Sequence, residues 1–208
     1  MSYERGAIEK SGEQRDQTGA KYGMWFFLFT EILFFGGMFI LYSVFRAKYT
    51  QDFHLAAGEE NLLLGSLNTA VLLTSSLSIA LSISALKKEN YRLSVQLQTA
   101  TVLMGLIFLV IKYFEWTAKI SKGIYPDSPV LLKMSAGQIL FFGLYYVMTG
   151  LHGLHVLIGI VVISFMIYFT KTGNVTSGNF SKLENTGLYW HFVDIVWIYL
   201  FPLFYLIT

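Results

Sequence analysis

The sequence predicts an all-α fold, a polytopic integral membrane bundle of five transmembrane helices. Three observations carry that expectation. Of 208 residues, 54% are hydrophobic and only 13% charged, with a mean hydropathy of +0.54, far from the balance of a soluble domain. Five blocks, residues 23–45, 62–86, 93–114, 137–169 and 187–207, each reach the roughly 20 mostly apolar residues that a helix needs to cross a bilayer. The linkers are short and polar, "KKENYR" (87–92) and "TKTGNVTSGNFSKLENT" (170–186) among them. Residues 23–208 therefore read as one transmembrane domain behind a tail of residues 1–22.

That tail, "MSYERGAIEKSGEQRDQTGAKY", is polar with mixed charge. It lacks an apolar core and a cleavage site, so it reads as a retained tail and not a signal peptide. The first span follows and contains Glu31 in "FFLFTEILFFGG", about 12 Å from its start by helical rise. An ionised carboxylate at a helix centre costs about 3 kcal/mol on insertion scales, so Glu31 is expected to be protonated or paired. A neutral acid bonding a neighbouring helix or a lipid headgroup and a proton-transfer group are the two readings it leaves open.

The second span, "LLLGSLNTAVLLTSSLSIALSISA", is crowded with Ser, Thr and Ala and carries Asn68. Small residues let helices approach closely and their hydroxyls bond across the contact, so packing accounts for most of the stripe. The third span exits through Glu115 in "FEW", expected to form a polar layer with Asn68 and His152.

The fourth block runs 33 residues, about 50 Å at the helical rise against a hydrocarbon core of about 30 Å, so it tilts or begins outside the membrane. Within it, His152 and His155 in "TGLHGLHVLIG" are three apart and share a face, and Gly150, Gly153 and Gly159 thin the same helix. Two histidines on one helix cannot clamp both faces of a porphyrin. Hydrogen-bonded packing and metal ligation remain as alternatives. The fifth span places His191 and Asp194 three apart, at a depth close to that of Glu31, so the three are expected in one layer. A His–carboxylate pair locking helices is one reading of the last two, and a metal or proton-relay role is the other.

Charge sets the orientation. The tail and the second and fourth linkers hold nine Lys and Arg against six on the opposite side, which favours a cytoplasmic N-terminus and an outside C-terminus. No basic stripe suggests nucleic acid. The absence of cysteine excludes disulfides, a Cys-bridged copper centre and Fe–S clusters. No Glu-x-x-His di-metal pattern occurs and no internal repeat suggests an inverted-repeat transporter.

Four stretches, "WFFLFTEILFF" (25–35), "NTAVLLTSS" (68–76), "TGLHGLHVLIG" (149–159) and "YWHFVDIVWIYLFPLFY" (189–205), together resemble the subunit III family of haem–copper oxidases. The motifs come in the family's order inside matching spans, in the five-span form that lacks the first two helices of larger members. The resemblance implies an accessory subunit that packs on subunit I, in a complex that also holds subunit II. It implies bound phospholipid, support for proton uptake and turnover stability, and membership of aerobic respiratory electron transport in a bacterial cytoplasmic membrane. Haem and copper are then expected in the partner chains, with no catalytic centre, cofactor or metal in this one. By motif position Glu31 matches the family's buried glutamate, His152 and His155 its "HxxHV" pair, and His191 and Asp194 its "WHxxD". These residues, with Asn68 and Glu115, are structural, lipid or proton-related candidates.

"IKYFEWTAKISKG" (111–123) and "YLFPLFYL" (199–206) also resemble the variant that accompanies nitric oxide reductases, and quinol oxidases have five-span third subunits too. An independent proton or solute carrier built on Glu31, His191 and Asp194 is an alternative of another class. A free-standing metalloenzyme on His152, His155, His191 and Asp194 is a third.

Overall fold

A computed structural model describes the backbone of residues 2–207 and the side chains from Thr18 to Ile207. The tail cations Arg5, Lys10 and Arg15 lie outside the described side chains. The described backbone is mostly helical, without a β-strand, in the order α1 (Ser2–Lys48), α2 (Thr50–Ala57), α3 (Leu62–Lys87), α4 (Tyr91–Ser121), α5 (Ala136–Lys171) and α6 (Ser181–Tyr205), joined by short loops and one 3-10 turn at Leu131–Lys133. Five helices are long and apolar enough to cross a membrane, the first of them over Thr18–Lys48. With these five spans the chain is an integral membrane protein.

Helix starts are set by side chains that accept the free N–H groups of the first turn. Asn61 Oδ1 accepts from Leu64 N and Asn90 Oδ1 from Leu93 N, both at 3.1 Å. Ser135 and Gln138 form a reciprocal capping box that opens α5. The cap explains why α5 runs 36 residues, about 54 Å: its first turn is fixed by polar contacts and does not need lipid.

Helices α3 to α6 form a closed square, in which α3 and α5 lie on one diagonal and each touches α4 and α6. Helix α1 leans on the α5/α6 seam, and the short α2 rests on α5. The square closes around Trp190 of α6, which is fully buried. A Cβ on Gly105 of α4 would stand 2.9 Å from its ring, and one on Gly159 of α5 2.7 Å. Those two glycines let three backbones approach one indole, the small-residue packing that membrane helices use where lipid is as apolar as a side chain.

The Ser and Thr stripe of α3 is turned toward α6. Ser75 Oγ accepts from Trp190 Nε1 and Thr69 Oγ1 from Trp197 Nε1, each at 3.0 Å. Both indoles thus bury their rings and satisfy their one donor. Helix α1 differs: Trp25, Phe26, Phe29, Leu33 and Ile40 remain largely exposed, as a lipid- or partner-facing helix requires.

Candidate functional site

Two polar sites are built on this frame. One lies at the α1/α5 contact and one inside the square, toward the end of the bundle that carries α2, here called the α2 end.

At the first site Glu31 reaches His155, with Oε2 and Nε2 3.1 Å apart. His155 Nδ1 lies 2.8 Å from the Leu151 carbonyl. A carbonyl only accepts, so Nδ1 carries hydrogen, and the remaining contact needs one further proton. The pair is either imidazolium and carboxylate or neutral imidazole and carboxylic acid, and in both forms two costly groups share one proton near lipid. Tyr189 OH donates to the His155 carbonyl at 3.0 Å and holds α6 to the same turn.

This differs from the single layer expected of Glu31, His191 and Asp194. Glu31 faces α5 because α1 sits on the α5/α6 seam. His191 and Asp194 do not pair either. His191 Nδ1 lies 2.6 Å from Ser76 Oγ of α3, while both Asp194 oxygens are buried without a hydrogen-bond partner among the described residues. His191 is thus turned to α3 and not to its neighbour on α6.

Beside His191, an apolar groove of about 480 Å³ runs between α1 and α6, lined by Trp25, Leu28, Ile32, Phe35 and Phe192 among others. One wall is the face that α1 turns toward α6.

The second site centres on Glu115. Its Oε1 accepts from Tyr205 OH at 2.5 Å, from Tyr145 OH, and from Lys112 Nζ at 3.3 Å. Lys112 Nζ also donates to Tyr205 OH at 2.5 Å and lies 4.9 Å from the Trp197 ring. Lys119, one turn on, pairs with Glu60 at 2.7 Å and lies 3.8 Å from Glu115. All of these groups are buried. Burial pushes the Glu60 carboxyl, just outside α3, up to about 7 against the opposing pull of Lys119.

The expected layer of Glu115 with Asn68 and His152 is not bonded as such. His152 is fully buried, stacked on Trp197 at 5.2 Å and edge-on to Phe108 at 5.4 Å, and neither ring nitrogen has a hydrogen-bond partner among the described residues. The same holds for both polar atoms of Asn68. Of the two packing histidines, only His155 is hydrogen-bonded.

Sequence reasoning missed Lys112, Lys119, Tyr145, Tyr205 and Glu60. A signal existed in Lys112, Glu115 and Lys119, spaced by three and four on one face of an apolar helix.

Among the described residues no three His, Asp or Glu side chains converge as a metal would require. His152, His155, His191 and Asp194 point to different surroundings, so they do not form one ligand set.

The family model for cytochrome c oxidase subunit III matches residues 4–208. The chain belongs to the subunit III family of haem–copper oxidases. It is 33% identical over 190-odd residues to cytochrome c oxidase subunit 3 of Thermostichus vulcanus, covering 89% of this chain and 86% of that one. It is 34% identical to the subunit 3 of Alkalihalophilus pseudofirmus, covering 88% and 84%. It is also 31% identical to the haem–copper oxidase subunit I+III of Aeropyrum pernix, where it spans 88% of its own length and 22% of that longer protein. As a subunit III, this chain is an accessory subunit of a haem–copper oxidase, and membership implies association with other oxidase subunits.

Proposed function

We propose that this subunit III packs directly on subunit I, in a complex with subunit II, and sustains proton uptake and turnover there. Its N-terminus faces the cytoplasm, in a bacterial cytoplasmic membrane. The redox cofactors belong to the partner chains: without cysteine, and with His152 faced by Trp197 and Phe108 instead of a second histidine, this chain's donors do not suit haem or a Cys-bridged copper pair. The observation that carries the reading is the family match over 4–208. It is supported by the I+III name of the Aeropyrum relative, in which the two subunits are joined in one protein.

The apolar groove between α1 and α6 takes a phospholipid acyl chain. Its lining is almost entirely hydrocarbon and aromatic, and Lys21 and Glu184 line a neighbouring pocket nearer the N-terminal end of the bundle. Close by, the Glu31–His155 pair carries the proton-related role, because it joins an ionisable couple to the lipid-facing helix within its apolar stretch.

The test is affinity capture of the chain from native membranes in mild detergent, with partner identification, haem spectra and gas consumption on the same sample. A haem-bearing subunit I with oxygen uptake is expected, and the accompanying donor chain distinguishes cytochrome c from quinol. A nitric oxide reductase core would move the chain to that branch. If it came down alone and conducted protons in vesicles, with conduction abolished by Glu31→Gln, the carrier reading would replace this one. In the captured complex, Glu31→Ala is expected to leave haem content unchanged and shorten the life of turnover. Loss of haem would overturn the assignment.

A further inference from the structure

Six of the buried polar atoms left without partners among the described residues follow one path; those of Gln98, Trp116, Asn185 and Asp194 lie off it. His152 projects from α5 onto Trp197, and Lys112 lies over the same ring. On α3, Thr69 holds the Trp197 indole, and Asn68 lies beside it in sequence, one turn from Gly65, whose missing side chain admits the Tyr205 ring. Tyr205 then leads to Glu115, Lys119 and Glu60. Along that path both nitrogens of His152, both polar atoms of Asn68, Glu115 Oε2 and Glu60 Oε1 are buried without a hydrogen-bond partner. A cleft of about 580 Å³ opens at the α2 end and is lined by Glu59, Glu60, Glu115, Lys119 and Lys122. Two of the unpartnered carboxylates therefore stand at its wall.

Leaving a buried polar group unsatisfied costs its full desolvation with no hydrogen bond in return. Four such residues in one file are not what a dry core supports. A neutral imidazole offers one donor and one acceptor, and an amide offers both. Buried water, which makes two to four hydrogen bonds to such groups, satisfies all of them.

We propose that the α2 half of the bundle is a water-binding site: internal water molecules bonded to Asn68, His152 and Glu115 Oε2, continuous with the cleft at Glu60 and Lys119. Water is the ligand, and the buried Glu115 carboxylate exchanges protons with the α2 face through it. This assignment stands whichever oxidase core the chain serves.

Radiolytic hydroxyl-radical labelling of the intact complex in 18O-labelled water tests it, because radicals formed from bound water modify the side chains beside it. The chain carries its own controls. Tyr42 is as buried as Tyr145 and Tyr205, yet its hydroxyl donates to the Leu203 carbonyl and not to the hub. Trp190 is as buried as Trp197 and its N–H is taken by Ser75. Tyr145 and Tyr205 are expected to be labelled several-fold more than Tyr42, and Trp197 several-fold more than Trp190. Equal labelling within both pairs would overturn the proposal. In a double variant, Asn68→Leu with His152→Phe, Trp197 labelling is expected to fall to that of Trp190 while Tyr205 keeps its excess through Glu115. If that variant does not assemble, the two wild-type comparisons still decide.

Discussion

The Glu31–His155 pair and the Glu115 hub place carboxylates in the same bilayer by opposite means. Glu31 stays partly open, with 19% of its side chain exposed and one partner. Glu115 is 3% exposed and surrounded by two tyrosines and two lysines. A carboxylate at the edge of the bundle, still partly exposed, needs only one shared proton. One inside the square must be met by the protein's own donors, because removing a partner there strands a charge in low dielectric. The rim pair is accordingly suited to respond to its surroundings and the hub to hold helices together.

The largest expected effect comes from breaking the hub. Glu115→Leu leaves Lys112 buried without its counter-charge and should destabilise the bundle by about 3–5 kcal/mol, read as loss of this chain from the purified complex. Lys112→Met with Glu115→Leu removes both charges and should recover most of that loss. If the double variant is no better than the single one, charge pairing is not what makes the interior costly.

Next is the frame that brings the hub's helices together. Gly159→Val pushes into the Trp190 ring, already 2.7 Å from a Cβ at that position. Overpacking of this kind costs about 1–3 kcal/mol, checked by the thermal midpoint of the complex. Glu31→Gln should move that midpoint less than Gly159→Val does.

Acidity gives a smaller, signed effect. Folding raises the Glu60 carboxyl from 4.5 to about 7, so between those values the folded chain binds a proton that the unfolded chain does not. Stability from this group rises as pH falls through that window, and it is lost as pH climbs through about 7. Thermal inactivation measured from pH 5 to 8 should show that slope, and Glu60→Gln should flatten it.

The smallest change in stability is expected from Glu31→Gln, about 1 kcal/mol or less for a partly exposed pair. A loss as large as that of Glu115→Leu would erase the distinction between the two sites.

Much of this was legible in order of sequence distance. The hydrophobic blocks, the helical period and the absence of cysteine are local or compositional facts, so five spans, an all-α bundle and the excluded thiolate centres followed from the sequence alone. The spacing of Lys112, Glu115 and Lys119 by three and four carried a shared face as well, though it was not recognised as a hub, while His152 and His155, three apart, turn to different neighbours. Helical rise put Glu31 near the depth of His191 and Asp194. Azimuth is a different quantity. Whether Glu31 turns to α5 or to α6, and whether His191 meets Asp194 or Ser76, depends on how each helix is rotated against its neighbours. That rotation is set by contacts far apart in the chain, above all by Trp190 seated on Gly105 and Gly159. Repeating hydrophobicity says which residues avoid water, but every direction around a membrane helix is apolar, so no sequence pattern marks the partner. Only the packed square decided that Glu31 took His155, that Glu115 took Tyr145 and Tyr205, and that Asn68 and His152 were left facing the interior.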